Sequence, residues 1–452
     1  MVDARIWEDS AGLGGVSAKI KAGRRRTGAG LDPDCGRRSE FANRPRIQSR
    51  STAPLVRMDE VDDTSSMSSL GLVFSGGGAR GAYEVGVISW LADHLPELLA
   101  EVRVLTGSSV GAVNAAFLAS HQLTPHSVRE LVDLWCTLSI DQVMTLSALS
   151  AGRMLKQRIF GLGPNERPVG LLNTSPLNRL IVDRVDWDGL VKAVKGPRLD
   201  AVAIAATDIG SGSTHVFFDY NRQRVVEPHW PEDRSMVGWE TELRPEHILA
   251  STSLPLLFKP VPIGDRWYCD GGLRQNTPLA PALRLGATKL LAISVKSQQP
   301  ASPRARGFPG MGHLLGKLMN SVFLDRMLWD LDRMHRINDV LLAAERQGGP
   351  ELVSALQREL VGMGRRPYSF VNYVGIRPSR DIGVLAAETL AHPERLNSRL
   401  IRLMNRSLRD RTGVADTASY LLFDGFFASR LIELGYQDAG ERRVELESLI
   451  AP

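Results

Sequence analysis

The chain has 452 residues, 43% of them hydrophobic and 23% charged, which suits a globular protein of one large or two ordinary domains. No apolar run approaches the ~18–20 residues of a membrane span, and the N-terminus lacks the apolar core of a secretory signal. The net charge of +5 is confined to a tail: residues 1–57 hold 12 Lys/Arg against 6 Asp/Glu and the rest 43 against 44, so nothing supports a nucleic-acid-binding face. The three cysteines, Cys35, Cys136 and Cys269, have neither paired nor metal-type spacing, as expected of a cytoplasmic protein.

Residues 1–69 are rich in Gly, Ser and Arg, without helical or strand periodicity, and read as a disordered basic tail. A solvated tail is favoured over a membrane-surface role, and initiation at Met58 or Met67 is an alternative account of it. Order is expected to begin at Leu70-Gly71-Leu72-Val73-Phe74, a buried strand running through Ser75 into Gly76-Gly77-Gly78-Ala79-Arg80-Gly81 and a helix from Ala82 to about Leu95. A second such unit follows: the strand Val102–Thr106, the turn Gly107-Ser108-Ser109-Val110-Gly111, and a small-residue helix. Two consecutive strand–loop–helix units imply an α/β fold with a parallel sheet and right-handed crossovers.

Residues 126–195 read as mainly helical, interrupted by a Gly/Pro/Arg-rich stretch at 161–170. Strands are expected at Leu199–Ala206 and near Thr214–Phe218, then a helix at Pro245–Ser251. Arg266–Gly272 closes a strand in a glycine turn, Asn276-Thr277-Pro278-Leu279 starts a helix, and Lys289–Val295 forms a further strand. A catalytic core over 70–297 therefore precedes a mainly helical region, 298–452, packed on the core or extending it. That region opens with a linker and a long amphipathic helix, roughly His313–Gln347. The helix's apolar face (Leu315, Leu318, Met319, Val322, Met327, Leu331, Met334) is better explained by core packing than by bilayer docking. A strand-like piece at Tyr368–Ile376 and a last helical run at Thr417–Leu434 complete the chain.

Three of these stretches carry chemistry. Gly-x-Ser-x-Gly alone is weak, since with 42 glycines chance gives on the order of 0.3 matches in such a chain. Between a strand and a helix, however, the turn lifts Ser109 out of the sheet at a helix N-terminus, where a nucleophile works, with Gly107 and Gly111 as its supports. The loop Gly76–Gly81 is the candidate oxyanion hole, because glycines let backbone amides converge without Cβ interference. None of the nine histidines stands at a strand-end motif, His121, His126, His215, His229, His247 and His392 among them. Asp270, which ends a hydrophobic strand before Gly271 and Gly272, is the better base: a partly desolvated carboxylate can activate a serine unaided.

Together, Gly76–Gly81, Gly107–Gly111 and Asp270-Gly271-Gly272 resemble the signature of patatin-like phospholipases. The stretch Ala250–Phe258 followed by Pro260-Val261, and Asn276-Thr277-Pro278-Leu279, are similar to the family's segments flanking its catalytic aspartate. The resemblance covers about residues 70–296 and, more loosely, the C-terminal region. It implies a three-layer α/β/α fold and a Ser109–Asp270 dyad without histidine, with an acyl-enzyme intermediate and the oxyanion held by the glycine loop with Arg80 beside it. Lipid acyl esters, phospholipids among them, are the implied substrates, without cofactor or metal; the implied setting is cytoplasmic, with peripheral contact at the membrane. The basic tail, the helical segment at 126–170 and the C-terminal region depart from the minimal pattern and bear on substrate choice.

Three rival readings remain. Gly-x-Gly-x-x-Gly at 76–81 also fits a dinucleotide site, but the second strand ends without the acidic residue that a ribose hydroxyl requires. A hydrolase using a hidden histidine is the second. A non-catalytic lipid-binding or interaction protein retaining the fold is the third, against which the intact Ser109 and Asp270 argue.

Overall fold

The computed structural model describes residues 69–146, 172–230, 235–255, 257–298, 327–363, 365, 367–396 and 412–450. The expectations for residues 1–68, for the interruption at 161–170, for the linker after residue 298 and for helical residues 313–326 lie outside these.

Strand β1 (Leu70–Phe74) is buried along its whole length, passes through the glycine loop and a 3-10 turn at Gly78–Gly81, and enters α1 (Ala82–His94). Strand β2 (Val102–Ser108) turns at Ser109 into α2 (Val110–Ser120), and α3 (Pro125–Thr137) starts behind a Thr124 cap. Helices α4 (Ser175–Arg184) and α5 (Trp187–Lys195) precede strands β3 (Ala201–Asp208), β4 (Thr214–Tyr220) and β5 (Met236–Glu240). Then come α6 (Pro245–Thr252), β6 (Val261–Ile263), β7 (Arg266–Asp270), α7 (Leu279–Arg284) and β8 (Lys289–Ile293). The C-terminal region supplies α8 (Met327–Gly362), β9 (Asn372–Ile376), α9 (Ile382–Leu390), α10 (Thr412–Leu421) and α11 (Gly425–Glu441).

The strands make one mixed sheet in the order β9-β8-β1-β2-β3-β4-β5, parallel from β9 to β3. Side chains alternate across it. Leu72, Phe74, Leu105, Ile204 and Ile293 join a core under α1, α2 and α11, whereas Val73, Val104, Ala203 and Ala292 join a second with α7 and the start of α8. The result is a three-layer α/β/α architecture.

One lane of the sheet is shared. Along one edge β3 pairs with β4 from Ala201 to Thr207; along the other it pairs with β2 only as far as Ser108↔Ala205. Antiparallel β7 takes over at Ala206↔Asp270, with β6 hairpinned on it. The ends of β2 and β7 therefore meet head to head.

The C-terminal region differs in detail from the sequence expectation. Its strand adds to the sheet beside β8. The described part of the long helix runs on to Gly362 but is broken at Gly349 (φ 66°), just before Pro350, because neither residue sustains helical geometry there. Met327, Leu331 and Met334 pack in the second core. The last helical run is two helices: Asp424 accepts the Phe426 N–H (3.0 Å) and caps a new one. That helix, α11, lies tight on α1. A Cβ on Gly86 would strike the Ile432 carbonyl and one on Gly435 the Tyr83 carbonyl, while the Tyr83 hydroxyl donates to Asp438 (2.8 Å).

Helix α1 also buries a carboxyl completely. Glu84 accepts the Ser75 N–H (2.7 Å) and hydroxyl (3.2 Å) on one oxygen and the Asn114 amide (2.9 Å) on the other; Asn114 is held in turn by Trp135 Nε1 (3.1 Å). Loss of solvent pushes its pKa up to about 8, against the pull of these donors. Glu84 thus ties down the residue that leads into the glycine loop.

Two stability predictions follow from this packing. Helix propensity alone would make Gly435→Ala stabilising by about 1 kcal/mol. The collision with Tyr83 reverses the sign, and a net loss of about 1–3 kcal/mol is expected from the urea midpoint. The second concerns Glu84. Because its pKa is higher folded than unfolded, the native state holds the extra proton between the ordinary carboxylate range and about pH 8, so its contribution falls as pH rises through that window. The melting temperature of Glu84→Gln, taken relative to wild type at each pH, is therefore expected to climb from pH 5 to pH 8; a flat difference would refute the linkage.

Candidate active site

Ser109 sits at φ 53°, ψ −127°, a conformation that non-glycine residues adopt only when their surroundings enforce it. Gly107 and Gly111 permit the turn: a Cβ on Gly107 would strike the Gly111 carbonyl, and one on Gly111 would come 2.6 Å from the Ser75 carbonyl oxygen. The Ser109 N–H donates to Ser251 Oγ (2.9 Å), which donates to the Ala205 carbonyl of β3 (2.6 Å). The strained turn is thereby fastened to β3.

The Ser109 hydroxyl donates to Asp270 Oδ2 at 2.6 Å, across the point where β2 and β7 meet. Asp270 is fully buried. Its Oδ1 accepts the Gly272 N–H (2.7 Å), its N–H donates to the Ser253 carbonyl (2.9 Å), and its carbonyl accepts the Thr207 hydroxyl (2.9 Å). Burial pushes the carboxyl up to about 7, and the bonds from Ser109 and Gly272 limit the rise. Gly271 is needed for the same fit, since a Cβ there would strike the Ala205 carbonyl. A carboxylate so placed can take a proton from the serine near neutral pH.

The glycine loop lies against this pair. A Cβ on Gly76 would come 2.6 Å from Asn276 Oδ1 and 3.0 Å from Ser109 Cβ. Two amides of the loop are committed: Gly76 N–H to the Asn276 carbonyl (2.9 Å) and Arg80 N–H to the Gly77 carbonyl (3.2 Å). Those of Gly77 and Gly78 make no hydrogen bond to the described residues. Gly78 has φ 58° and packs on the Tyr420 carbonyl, where a Cβ would collide; Ala79 and Gly81 complete the turn, with Val110 against Gly81. The Arg80 side chain is buried and engaged by α10, hydrogen-bonding Ser419 and Asp416, so what this loop offers a reacting oxygen is backbone.

No described histidine bonds to Ser109 or Asp270. His215 is buried with Tyr268 Oη 3.0 Å and Trp239 Nε1 2.8 Å from its Nδ1, and desolvation holds it down at about 4. His247 accepts the Arg244 N–H (2.9 Å) as a helix cap and is likewise lowered to about 4 by burial. Cys269, beside Asp270, is a buried thiol pushed up to about 12 by desolvation. Among the described residues no cluster of His, Cys, Asp or Glu is arranged to hold a metal ion, and no helix is long and apolar enough to cross a membrane.

Sequence reasoning missed Glu84, Asn114, Ser251 and the α10 residues. A lone carboxylate in the otherwise apolar first half of α1 was the signal for Glu84. The others are polar residues of ordinary type, and only their partners give them meaning.

A family model described as patatin-like phospholipase matches residues 72–283. Among solved structures, VipD from Legionella pneumophila is similar at 12% identity over 85% of this chain and 67% of that one, with a TM-score of 0.30. The ExoU–SpcU complex of the Pseudomonas aeruginosa type III secretion system is similar at 15% identity over 78% and 69%, with a TM-score of 0.25. No curated protein matches the chain. Residues 72–283, a little under half of the chain, thus form a patatin-like phospholipase domain.

Proposed function

We propose that the protein is a lipid acyl hydrolase in which Ser109 and Asp270 act as a catalytic dyad. The observation that carries this reading is the 2.6 Å hydrogen bond from a strained serine at a helix N-terminus to a fully buried carboxylate. In the reaction, Asp270 Oδ2 takes the Ser109 proton as Oγ bonds to the ester carbonyl carbon, and the carbonyl π pair moves onto oxygen. The Gly77 and Gly78 amides receive that oxyanion; each preorganised donor of this kind is worth about 3–4 kcal/mol at the transition state. Collapse expels the alcohol, which leaves with the proton from Asp270, and the acyl group stays on Ser109. A water then gives its proton to Asp270 while its oxygen bonds to the acyl carbon, and Ser109 departs as the protonated hydroxyl. The match of residues 72–283 to the patatin-like phospholipase model supports lipid esters as the substrate class.

With p-nitrophenyl acyl esters and phospholipid vesicles as substrates, Ser109→Ala is expected to abolish hydrolysis and covalent labelling by a fluorophosphonate. Asp270→Asn is expected to lower kcat by about 10³-fold or more, since it deletes the general base outright. Near-normal turnover by a folded Asp270→Asn enzyme would sink the dyad. Absence of labelling in folded wild type would favour a binding protein that keeps the fold.

The base must be ionised to work. Because burial raises Asp270 to about 7, kcat/KM is expected to rise with pH through neutrality and level off above it, against the ordinary carboxylate value near 4. A profile already flat from pH 5 would contradict that assignment.

A further inference from the structure

The loop that presents the Gly77 and Gly78 amides, which make no hydrogen bond to the described residues, has little support of its own. Gly76, Gly77 and Gly78 have no side chains to pack, and Gly78 lies in the left-handed region. On the side of β1 it is fixed by Glu84 on Ser75 and by the Asn276 carbonyl on Gly76. On its far side the grip comes from α10, which begins 129 residues beyond the family match at residue 283.

That grip is dense. Arg80 Nε and Nη2 both donate to Ser419 Oγ (2.8 and 2.6 Å), and Ser419 gives its own hydrogen to the Asp416 carbonyl (2.5 Å). Nη2 also reaches Asp416 Oδ1 (2.5 Å) and the Asp416 carbonyl (3.1 Å). The guanidinium lies 3.8 Å from the centre of the Tyr420 ring, and the carbonyl of the same tyrosine is what Gly78 packs on. One turn of α10 therefore holds the loop at two points, by a fork of hydrogen bonds at Arg80 and by steric contact at Gly78.

We propose that this turn of α10 is a working part of the catalytic apparatus: Asp416, Ser419 and Tyr420 are positioning residues that hold the Gly77 and Gly78 amides in line with the ester carbonyl. The proposal rests on the Ser109–Asp270 reading. Stability alone is a poor reason for the arrangement, because Asp416 is partly exposed and a buried or half-buried ion pair is often no more stabilising than apolar residues of the same volume. What a guanidinium fork adds is fixed direction. Direction is what an oxyanion site needs, since a misplacement of about 1 Å can cost 10²-fold in rate.

The test compares wild type, Ser419→Ala, Asp416→Ala and Arg80→Lys on a p-nitrophenyl ester, with active sites titrated by a fluorophosphonate and melting temperatures recorded alongside. The expected result is a kcat per titrated site lowered about ten- to hundredfold, with KM changed little. The midpoint of the kcat/KM pH profile is expected to stay put, because Asp270 is untouched. Arg80→Lys keeps the charge but not the fork and is expected to fall with the others; Asp416→Glu, which restores the carboxylate, is expected to recover part of the rate. If Asp416→Ala fails to fold, Ser419→Ala decides the matter, read well below its melting temperature. A titrated kcat within twofold of wild type in the folded variants, even with a lowered melting temperature, would overturn the proposal and leave the dyad standing. A wild-type protein that the fluorophosphonate does not label at Ser109 would instead overturn the dyad, and this proposal with it.

Discussion

Along one edge of β3, two strands share a lane that ordinarily belongs to one. β2 occupies it up to the Ser108↔Ala205 pair and β7 enters from the opposite end as far as Ala206↔Asp270, so Ser109 and Asp270 face each other at the junction. Much of the surrounding detail serves that meeting. The Ala205 carbonyl receives Ser251, which holds the Ser109 amide, and it is also the atom that leaves no room for a side chain at Gly271. A one-residue slip of β7 would turn Asp270 to the other face of the sheet and put Cys269 opposite Ala206. The β6–β7 hairpin, with Val261↔Tyr268 and Ile263↔Arg266 in register, guards against it.

Two buried carboxyls flank the site, and their environments assign them different work. Both are pushed up by loss of solvent. Glu84 faces two backbone or amide donors and a hydroxyl that lead away from Ser109, so its effect is to hold Ser75 and hence the mouth of the glycine loop. Asp270 meets the one hydroxyl that sits on a strained turn, and a single amide, that of Gly272, steadies its second oxygen. For the proposed base this balance matters: fewer donors would let burial raise its pKa further, and more donors would lower it and weaken it as a base.

How much of this could be read beforehand depended on sequence distance. The strand–loop–helix units, the Ser109 turn and the Asp270 strand end are local patterns, in which glycines and β-branched runs announce their own geometry. Asp270 could be singled out because a strand closing on Asp-Gly-Gly is itself a local signal. The partners of Arg80 could not: Asp416 and Ser419 lie more than 330 residues away, on a helix whose sequence carries no sign of what it packs on. Ser251 looked like one more polar residue near a helix end. The split of the last helical run escaped notice because Asp424, its cap, interrupts an otherwise continuous apolar pattern by only one turn. Periodicity finds faces, but partners across a fold are fixed by topology.

The same topology makes the C-terminal third more than an appendage. β9 covers the open edge of β8, which would otherwise present a row of unpaired backbone groups. Helix α11 lies so close on α1 that glycine is required at both Gly86 and Gly435, which fixes the helix carrying Glu84. Helix α10 then reaches the turn at Arg80. The glycine loop is thus gripped at its start by a helix that α11 holds down and at its end by α10, while Ser109 and Asp270 are set by β2, β3, β7 and the end of α6. Ser109 and Asp270, the proposed nucleophile and base, lie within the matched region, residues 72–283; the geometry of the Gly77 and Gly78 amides is shared with residues far outside it.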